Sequence, residues 1–256
     1  MTDEVLPDPL PPCPDLDRAF AVSWPVRLGD TDAEDRLRLD AAARYLQDIG
    51  FEHLGAVEDG DTHQGWIVRR TVIDVYEPLT FGDRAHLRRW PAALSNRWCD
   101  MRIRVTGERG GRLEAQAFLI HVDPVAGRPA RMSDRFMAPM LAATTEHRLR
   151  WKAALTPLTT LDAELTAFPL RVSDVDRLGH VNNAVYWIAV EEALAAHPEW
   201  HATPYRAVVE HVGPVMAADK VTVRTVVGER SLRLQLEVDG EPRALAEVRP
   251  LSAPSQ

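Results

Sequence analysis

The chain is written twice. Arg27-Leu28-Gly29-Asp30-Thr31-Asp32, leading to Ala41-Ala42-Ala43-Arg44-Tyr45-Leu46-Gln47-Asp48, is matched by Arg171-Val172-Ser173-Asp174-Val175-Asp176, leading to Ala184-Val185-Tyr186-Trp187-Ile188-Ala189-Val190-Glu191-Glu192. The offset is 144 residues throughout and sets Gln47-Asp48 opposite Glu191-Glu192. Further on, Val72-Ile73-Asp74, Glu77-Pro78 and Asp83 are matched by Val208-Val209-Glu210, Gly213-Pro214 and Asp219 at an offset of 136, so the second copy is eight residues tighter between its helix and its strands. Self-similarity on this scale constrains architecture before any single element is assigned, because each copy is the same supersecondary unit.

The unit itself follows from periodicity. The spacing of Leu, Ala and Tyr up to Asp48 suits a helix. After Asp83 and Asp219 the chain alternates apolar and polar residues, as half-buried antiparallel strands do. Ala85–Trp90 and Cys99–Val105 show this in the first copy, Val221–Val226 and Leu232–Val238 in the second. Gly110-Gly111 and Asp239-Gly240 fall at the hairpin turns between them. Each copy therefore predicts a strand, one long helix and a meander of about four strands: an α+β fold in which a curved antiparallel sheet wraps each helix. The expected boundaries are a flexible, proline- and acid-rich arm over residues 1–17, a first unit over 18–139, a helical linker over 140–164 carrying Leu141, Leu149, Trp151 and Leu155, and a second unit over 165–250.

Composition narrows the function. A net charge of -8 argues against a protein whose work is to coat nucleic acid. Cys13 and Cys99 are too few for a disulfide framework or a thiolate zinc site. Among the histidines only His197 and His201 stand four apart, with Pro198 between them, so no metal is expected. The N-terminus lacks the basic-then-apolar pattern of a signal peptide, and no stretch approaches the roughly 20 apolar residues of a membrane span, so a cytoplasmic protein is expected.

The chemistry concentrates in Asp174-Val175-Asp176-Arg177-Leu178-Gly179-His180-Val181-Asn182-Asn183-Ala184-Val185-Tyr186. An acid, a glycine and a histidine precede a helix whose first turn leaves backbone N–H groups unpaired, which makes an oxyanion site beside a general base. Acyl transfer suits it. Asp176 is the candidate base or nucleophile toward a thioester carbonyl, His180 orients water or the carbonyl, and Gly179 admits substrate close to the backbone. Asn182 and Asn183 are candidate positioning residues, although Asp-x-Asp and Asn-Asn before a helix also serve as caps and turns. The first copy has Asp35 and Arg36 where the second has Gly179 and His180, so the fold does not need Gly-His there and function accounts for it better.

This run, together with Trp66-Ile67-Val68-Arg69-Arg70, Phe81-Gly82-Asp83 and the helix ending Tyr45-Leu46-Gln47-Asp48, resembles the acyl-acyl-carrier-protein thioesterases, the plant FatA and FatB type and their bacterial relatives, over roughly residues 20 to 250. The resemblance implies two tandem hotdog folds and cofactor-free hydrolysis of fatty acyl thioesters on carrier protein. It also implies a catalytic pair at Asp176 and His180 and an N-terminal hotdog that takes the acyl chain, where Leu46, Ile49 and Trp66 would set its length. Two positions depart from that pattern. The family asparagine two residues after the aspartate is Leu178, and the family acid on the following strand falls on Pro214 or Val215, with the neighbouring cysteine position at Val215 or Met216. Glu192, Glu191 or Asp48 are candidates to supply the missing acid.

The expected partner is acyl carrier protein, strongly acidic, and the positive clusters available to meet it are Arg69-Arg70, Arg84 with Arg88-Arg89, and Arg148, Arg150 and Lys152. An acyl-CoA thioesterase and a non-catalytic acyl-binding protein are the rival readings. A double hotdog supplies its own internal pairing, so both a monomer and a homodimer fit the sequence.

Overall fold

The structure, a computed structural model, describes residues 6–159, 163–202 and 204–251. The first copy consists of β1 (Phe20–Pro25), α1 (Leu39–Ala56), β2 (Trp66–Glu77), β3 (Arg84–Leu94), β4 (Trp98–Gly107) and β5 (Arg112–His121). After α2 (Asp134–Ala143), the second copy repeats the order with β6 (Glu164–Phe168), α3 (Tyr186–Ala196), β7 (Tyr205–His211), β8 (Val221–Val227), β9 (Leu232–Val238) and β10 (Glu241–Pro250). All ten strands form one antiparallel sheet ordered β1-β3-β4-β5-β2-β7-β10-β9-β8-β6. The right half is the left half reversed, which is what a pseudo-two-fold axis through the β2–β7 seam produces. That axis passes between Val72 and Val208, which are paired across the seam and equivalent in the repeat. The α+β, two-hotdog expectation is borne out.

Alternation along the strands sorts the residues onto two faces. The concave face packs α1 and α3 side by side over Ile73, Val75, Leu87, Ala207, Val209 and their neighbours. On α3, Tyr186, Trp187, Ala189, Val190, Ala193 and Leu194 are all buried, because this helix packs against both the sheet and α1. It has 11 residues against 18 in α1, which accounts for much of the tighter spacing of the second copy. A separate apolar cluster of Leu94, Cys99, Met101, Met132, Phe136 and Met137 joins α2 to the far end of the first hotdog.

The outer face of the seam is covered by two segments expected to behave otherwise. Residues 1–5 of the expected flexible arm lie outside the described residues, but Leu6 and Leu10 are buried against Val72, Val208, Leu155 and Leu245. Leu10 N–H donates to Asp74, and Pro7 carbonyl accepts from Arg206. The expected linker is helical only to Ala143. Residues 144–159 run without a helix, because their amides are taken by the sheet: Ala154 and Leu155 donate to Glu210 at 2.8 and 3.2 Å, and Leu158 donates to Gln235 at 2.9 Å. Residues 160–162 of that linker lie outside the described residues.

Two ion pairs cross the seam on this covered face. Arg206 grips Asp74 through two bonds of 2.6 and 2.7 Å, both side chains fully buried, and Arg70 meets Glu210 at 2.9 Å. Arg70 is the repeat equivalent of Arg206, and Asp74 of Glu210, so these are one interaction made twice by the pseudo-symmetry.

Candidate active site

The loop before α3 is built by a small set of backbone bonds. Asp176 N–H donates to the His180 carbonyl (2.9 Å), Gly179 N–H to the Asp176 carbonyl (3.0 Å), Asn182 N–H to the Asp174 carbonyl (2.8 Å) and Val181 N–H to the Val215 carbonyl (2.9 Å). The first copy repeats every one of them, with Asp32 to Arg36, Asp35 to Asp32, Arg38 to Asp30 and Leu37 to Leu79 at 2.9, 3.2, 3.0 and 2.8 Å. Gly179 has φ +78°, and its equivalent Asp35 has φ +62°. A Cβ at Gly179 would meet nothing within 4 Å, so the glycine answers the left-handed backbone of the turn and not the close approach expected from the sequence.

With backbones so alike, the side chains carry the difference. Asp32 is saturated: its Oδ2 accepts from Arg36 Nε at 2.8 Å and its Oδ1 from the Glu34 and Arg36 amides. Asp176 accepts the Leu178 N–H on Oδ1 at 2.9 Å, and its Oδ2 has no partner among the described residues. The His180 side chain makes no hydrogen bond among the described residues, and its backbone bridges to Met216.

The two helix starts differ in the same sense. At the head of α1 the Leu39 N–H is capped by the carboxylate of Glu191, which reaches across from α3. Burial, with Asp40 and Asp32 nearby, pushes that carboxyl up to about 7 against the pull of the Leu39 N–H. In the turn that leads into α3, three residues before its first, the equivalent N–H belongs to Asn183, and the residue equivalent to Glu191 is Gln47. The Gln47 amide donates to Asn182 Oδ1 at 3.1 Å, and Asn182 Oδ1 and carbonyl accept the N–H groups of Ala184 and Val185. The Asn183 N–H has no acceptor among the described residues. Thus one copy holds an internal carboxylate on the N–H that the other leaves open.

An apolar cavity of about 230 Å³ meets this open end. It lies inside the first hotdog, walled by Leu46, Leu54, Trp66, Met101, Leu119 and Phe136, and reaches Asp176, Leu178, Asn182, Asn183 and Trp187 of the second. One copy supplies the chamber and the other the polar loop at its mouth. Gln47, Gly50, His53 and Arg89 also face this space.

Family models for the acyl-ACP thioesterase N-terminal and C-terminal domains match residues 17–140 and 159–247, so the match spans both hotdogs. The chain belongs to the acyl-ACP thioesterase family. Uncharacterized protein Rv2001 of Mycobacterium tuberculosis H37Rv, and its counterpart in strain CDC 1551, are 39% identical over 232 residues, covering 91% of this chain and 92% of theirs. The fold is shared with an acyl-ACP thioesterase from Bacteroides thetaiotaomicron (TM-score 0.73, 16% identity, covering 91% of this chain and 98% of that one). It is shared equally with the 12:0-ACP thioesterase from Umbellularia californica (TM-score 0.70, 18% identity, 90% and 96% covered).

Set against the acyl-ACP thioesterase pattern, the structure brings Asp176, Asn182 and Asn183 to the cavity mouth. His180 and Gly179 sit in the adjoining turn without facing the cavity. Asp48 and Glu192 are exposed and stand outside the cavity wall, and Glu191 caps α1, so the structure brings none of the three to the cavity. Where the pattern places that acid, Pro214 is exposed and Val215 is buried in the core, and Met216, at the cysteine position, lies beside His180. Leu178 is 65% exposed and contributes its amide, not its side chain, to Asp176. Two arginines leave the set of carrier-docking candidates: Arg70 is buried with Glu210, and Arg89 faces the cavity. Gln47, absent from the expected site, is its contribution from the first hotdog. Its position opposite Glu191 in the repeat was the available signal.

Proposed function

We propose that this acyl-ACP thioesterase family member hydrolyses the thioester of fatty acyl-acyl carrier protein and releases the free fatty acid. The observation that carries the reading is the continuity of an apolar, acyl-sized cavity in one hotdog with an unencumbered carboxylate and an open N–H in the other. The acyl chain fills the cavity and the thioester carbonyl sits at its mouth. Asp176, through Oδ2, takes a proton from water as the water oxygen bonds the carbonyl carbon, or attacks that carbon itself to give an anhydride that water then opens. The carbonyl π electrons move to oxygen, and the oxyanion is met by the Asn183 N–H in the turn leading into the positive end of α3. Collapse breaks the C–S bond and the thiolate leaves with the carrier; in the general-base route the proton held by Asp176 neutralises it, and in the anhydride route the proton comes from the water that opens the anhydride and returns Asp176 to its carboxylate. In the first copy Glu191 supports this role for the helix start, since a carboxylate already rests on the equivalent N–H.

Thiol release from matched acyl-ACP and acyl-CoA panels of varied chain length tests the proposal. Turnover favouring acyl-ACP, lost in Asp176→Ala and reduced in His180→Ala, is expected. Turnover confined to acyl-CoA would move the substrate to that carrier. Binding without turnover on either would make this an acyl-binding protein.

A further inference from the structure

The cavity carries a positive charge that a plain fatty acyl chain has no use for. On β3, alternation points Ala85, Leu87 and Arg89 at the concave face; the first two are fully buried, and the third is an arginine where the period calls for an apolar side chain. Arg89 Nη1 lies 2.7 Å from Nδ1 of His53 on α1, and both residues line the cavity together with Cys99 and Met101. The fully buried arginines of this sheet all have carboxylates, Arg70 with Glu210, Arg102 with Asp100 and Arg206 with Asp74, whereas the half-buried Arg69 and Arg243 have none among the described residues but do not line the cavity. Arg89 has none among the described residues.

Its neighbours do not neutralise it. Burial and the guanidinium itself hold His53 down at about 3, so the ring is neutral and accepts from Arg89. Burial pushes the Cys99 thiol up to about 12, so no thiolate stands nearby. Burial lowers Arg89 to about 10, which still leaves it charged at neutral pH. An unpaired guanidinium in an apolar chamber is costly unless a ligand completes it. His53 lies six residues beyond Gln47 on α1, so the charge sits roughly 9 Å deeper along the helix than the residue that touches the Asn182 loop.

We propose that the cavity selects acyl groups carrying a carboxylate at the far end of the chain, with Arg89 as the specificity-determining residue and His53 fixing its orientation. This rests on the thioester-hydrolysis reading for the head of the substrate, but the recognition itself is separable from turnover. The guanidinium fork matches a carboxylate with two parallel N–H bonds. The acyl thioester to be tested is therefore the half-thioester of a dicarboxylic acid.

The experiment compares non-hydrolysable pantetheine amides of dicarboxylic acids with amides of the matching monocarboxylic acids, by calorimetry across chain lengths, alongside thiol release from the corresponding thioesters. At the best length the wild type is expected to bind the dicarboxylic amide about 10- to 100-fold more tightly, the range for hydrogen bonds to charged groups. Arg89→Leu reverses the order and Arg89→Lys retains part of it, with circular dichroism and thermal melts confirming folded variants. Equal or tighter binding of the monocarboxylic amide by wild type overturns the inference, as does an unchanged preference in a folded Arg89→Leu protein. A dicarboxylic preference in binding with no thiol released from any thioester upholds the recognition and removes the hydrolytic reading instead.

Discussion

Replacing Asp74 by asparagine tests the seam that joins the hotdogs. Asp74 and Arg206 are both fully buried and share two short bonds, so the isosteric change leaves a guanidinium with no counter-charge in the sheet. Removing one partner of a buried pair costs about 3–5 kcal/mol, a large share of the ~5–15 kcal/mol that holds a domain folded. Asp74 also accepts the Leu10 N–H, and Arg206 donates to Pro7, so loosening of the N-terminal arm accompanies the loss. The double change Asp74→Leu with Arg206→Met removes both desolvation penalties and is expected to recover most of it, less about 1 kcal/mol for the Pro7 bond. Glu210→Gln, the pseudo-symmetric counterpart, is expected to cost as much as Asp74→Asn, since Glu210 meets Arg70 and two linker amides. Urea unfolding followed by tryptophan fluorescence, with m-values compared to confirm a common transition, reads all four proteins. An Asp74→Asn loss below about 1 kcal/mol, or a double variant less stable than the single, would refute this account of the seam.

Three further outcomes follow from the site. Gln47→Glu places at the head of α3 the carboxylate that Glu191 places at the head of α1, so it occupies the Asn183 N–H and should lower kcat by about 10²-fold or more in a thiol-release assay; unaltered kcat would remove Asn183 as the oxyanion donor. Glu191 has its folded pKa raised from 4.5 to about 7, so its contribution is fully present below pH 4.5 and lost as pH rises through 7. Glu191→Gln should therefore stabilise the protein above pH 7 by about 2–3 kcal/mol and have little effect near pH 4, and denaturation curves at both pH values that shift together would contradict it. Gly179→Ala, at φ +78° with open space around it, should cost about 1–2 kcal/mol from backbone strain alone, with Gly179→Asn costing less; a neutral Gly179→Ala melt would show that the turn relaxes.

Much of the fold was legible because the repeat survives in the residues that make backbone turns and strand registers. The offset of 136 that aligns Asp74 with Glu210 in the sequence is the same relation that pairs Arg70 with Glu210 and Asp74 with Arg206 in space. Asp176 was legible for the same reason, standing where Asp32 stands but without an arginine to hold it. The linker was not, since the spacing of Leu149, Trp151 and Leu155 fits a helix equally well until the sheet offers Glu210 and Gln235 to its amides. Helix faces separate the first-copy acid from the site: Asp48 adjoins Gln47 in the chain, yet one residue along a helix is about 100° around it, and of the two Gln47 looks into the cavity. Arg89 groups with Arg84 and Arg88 in the sequence as a positive cluster, because period-two alternation assigns Arg88 and Arg89 opposite faces without saying which face a charge will take.

The most direct measurement is the turnover of Asp176→Asn on the acyl thioester the wild type prefers, with kcat and KM resolved. The account predicts a loss in kcat of about 10³-fold or more with KM little changed, since the amide keeps the Leu178 contact and the cavity intact but can neither accept water's proton nor attack the carbonyl. A folded Asp176→Asn protein that turns over within about tenfold of wild type would contradict it, and the chemistry would then have to be sought in another group at the cavity mouth.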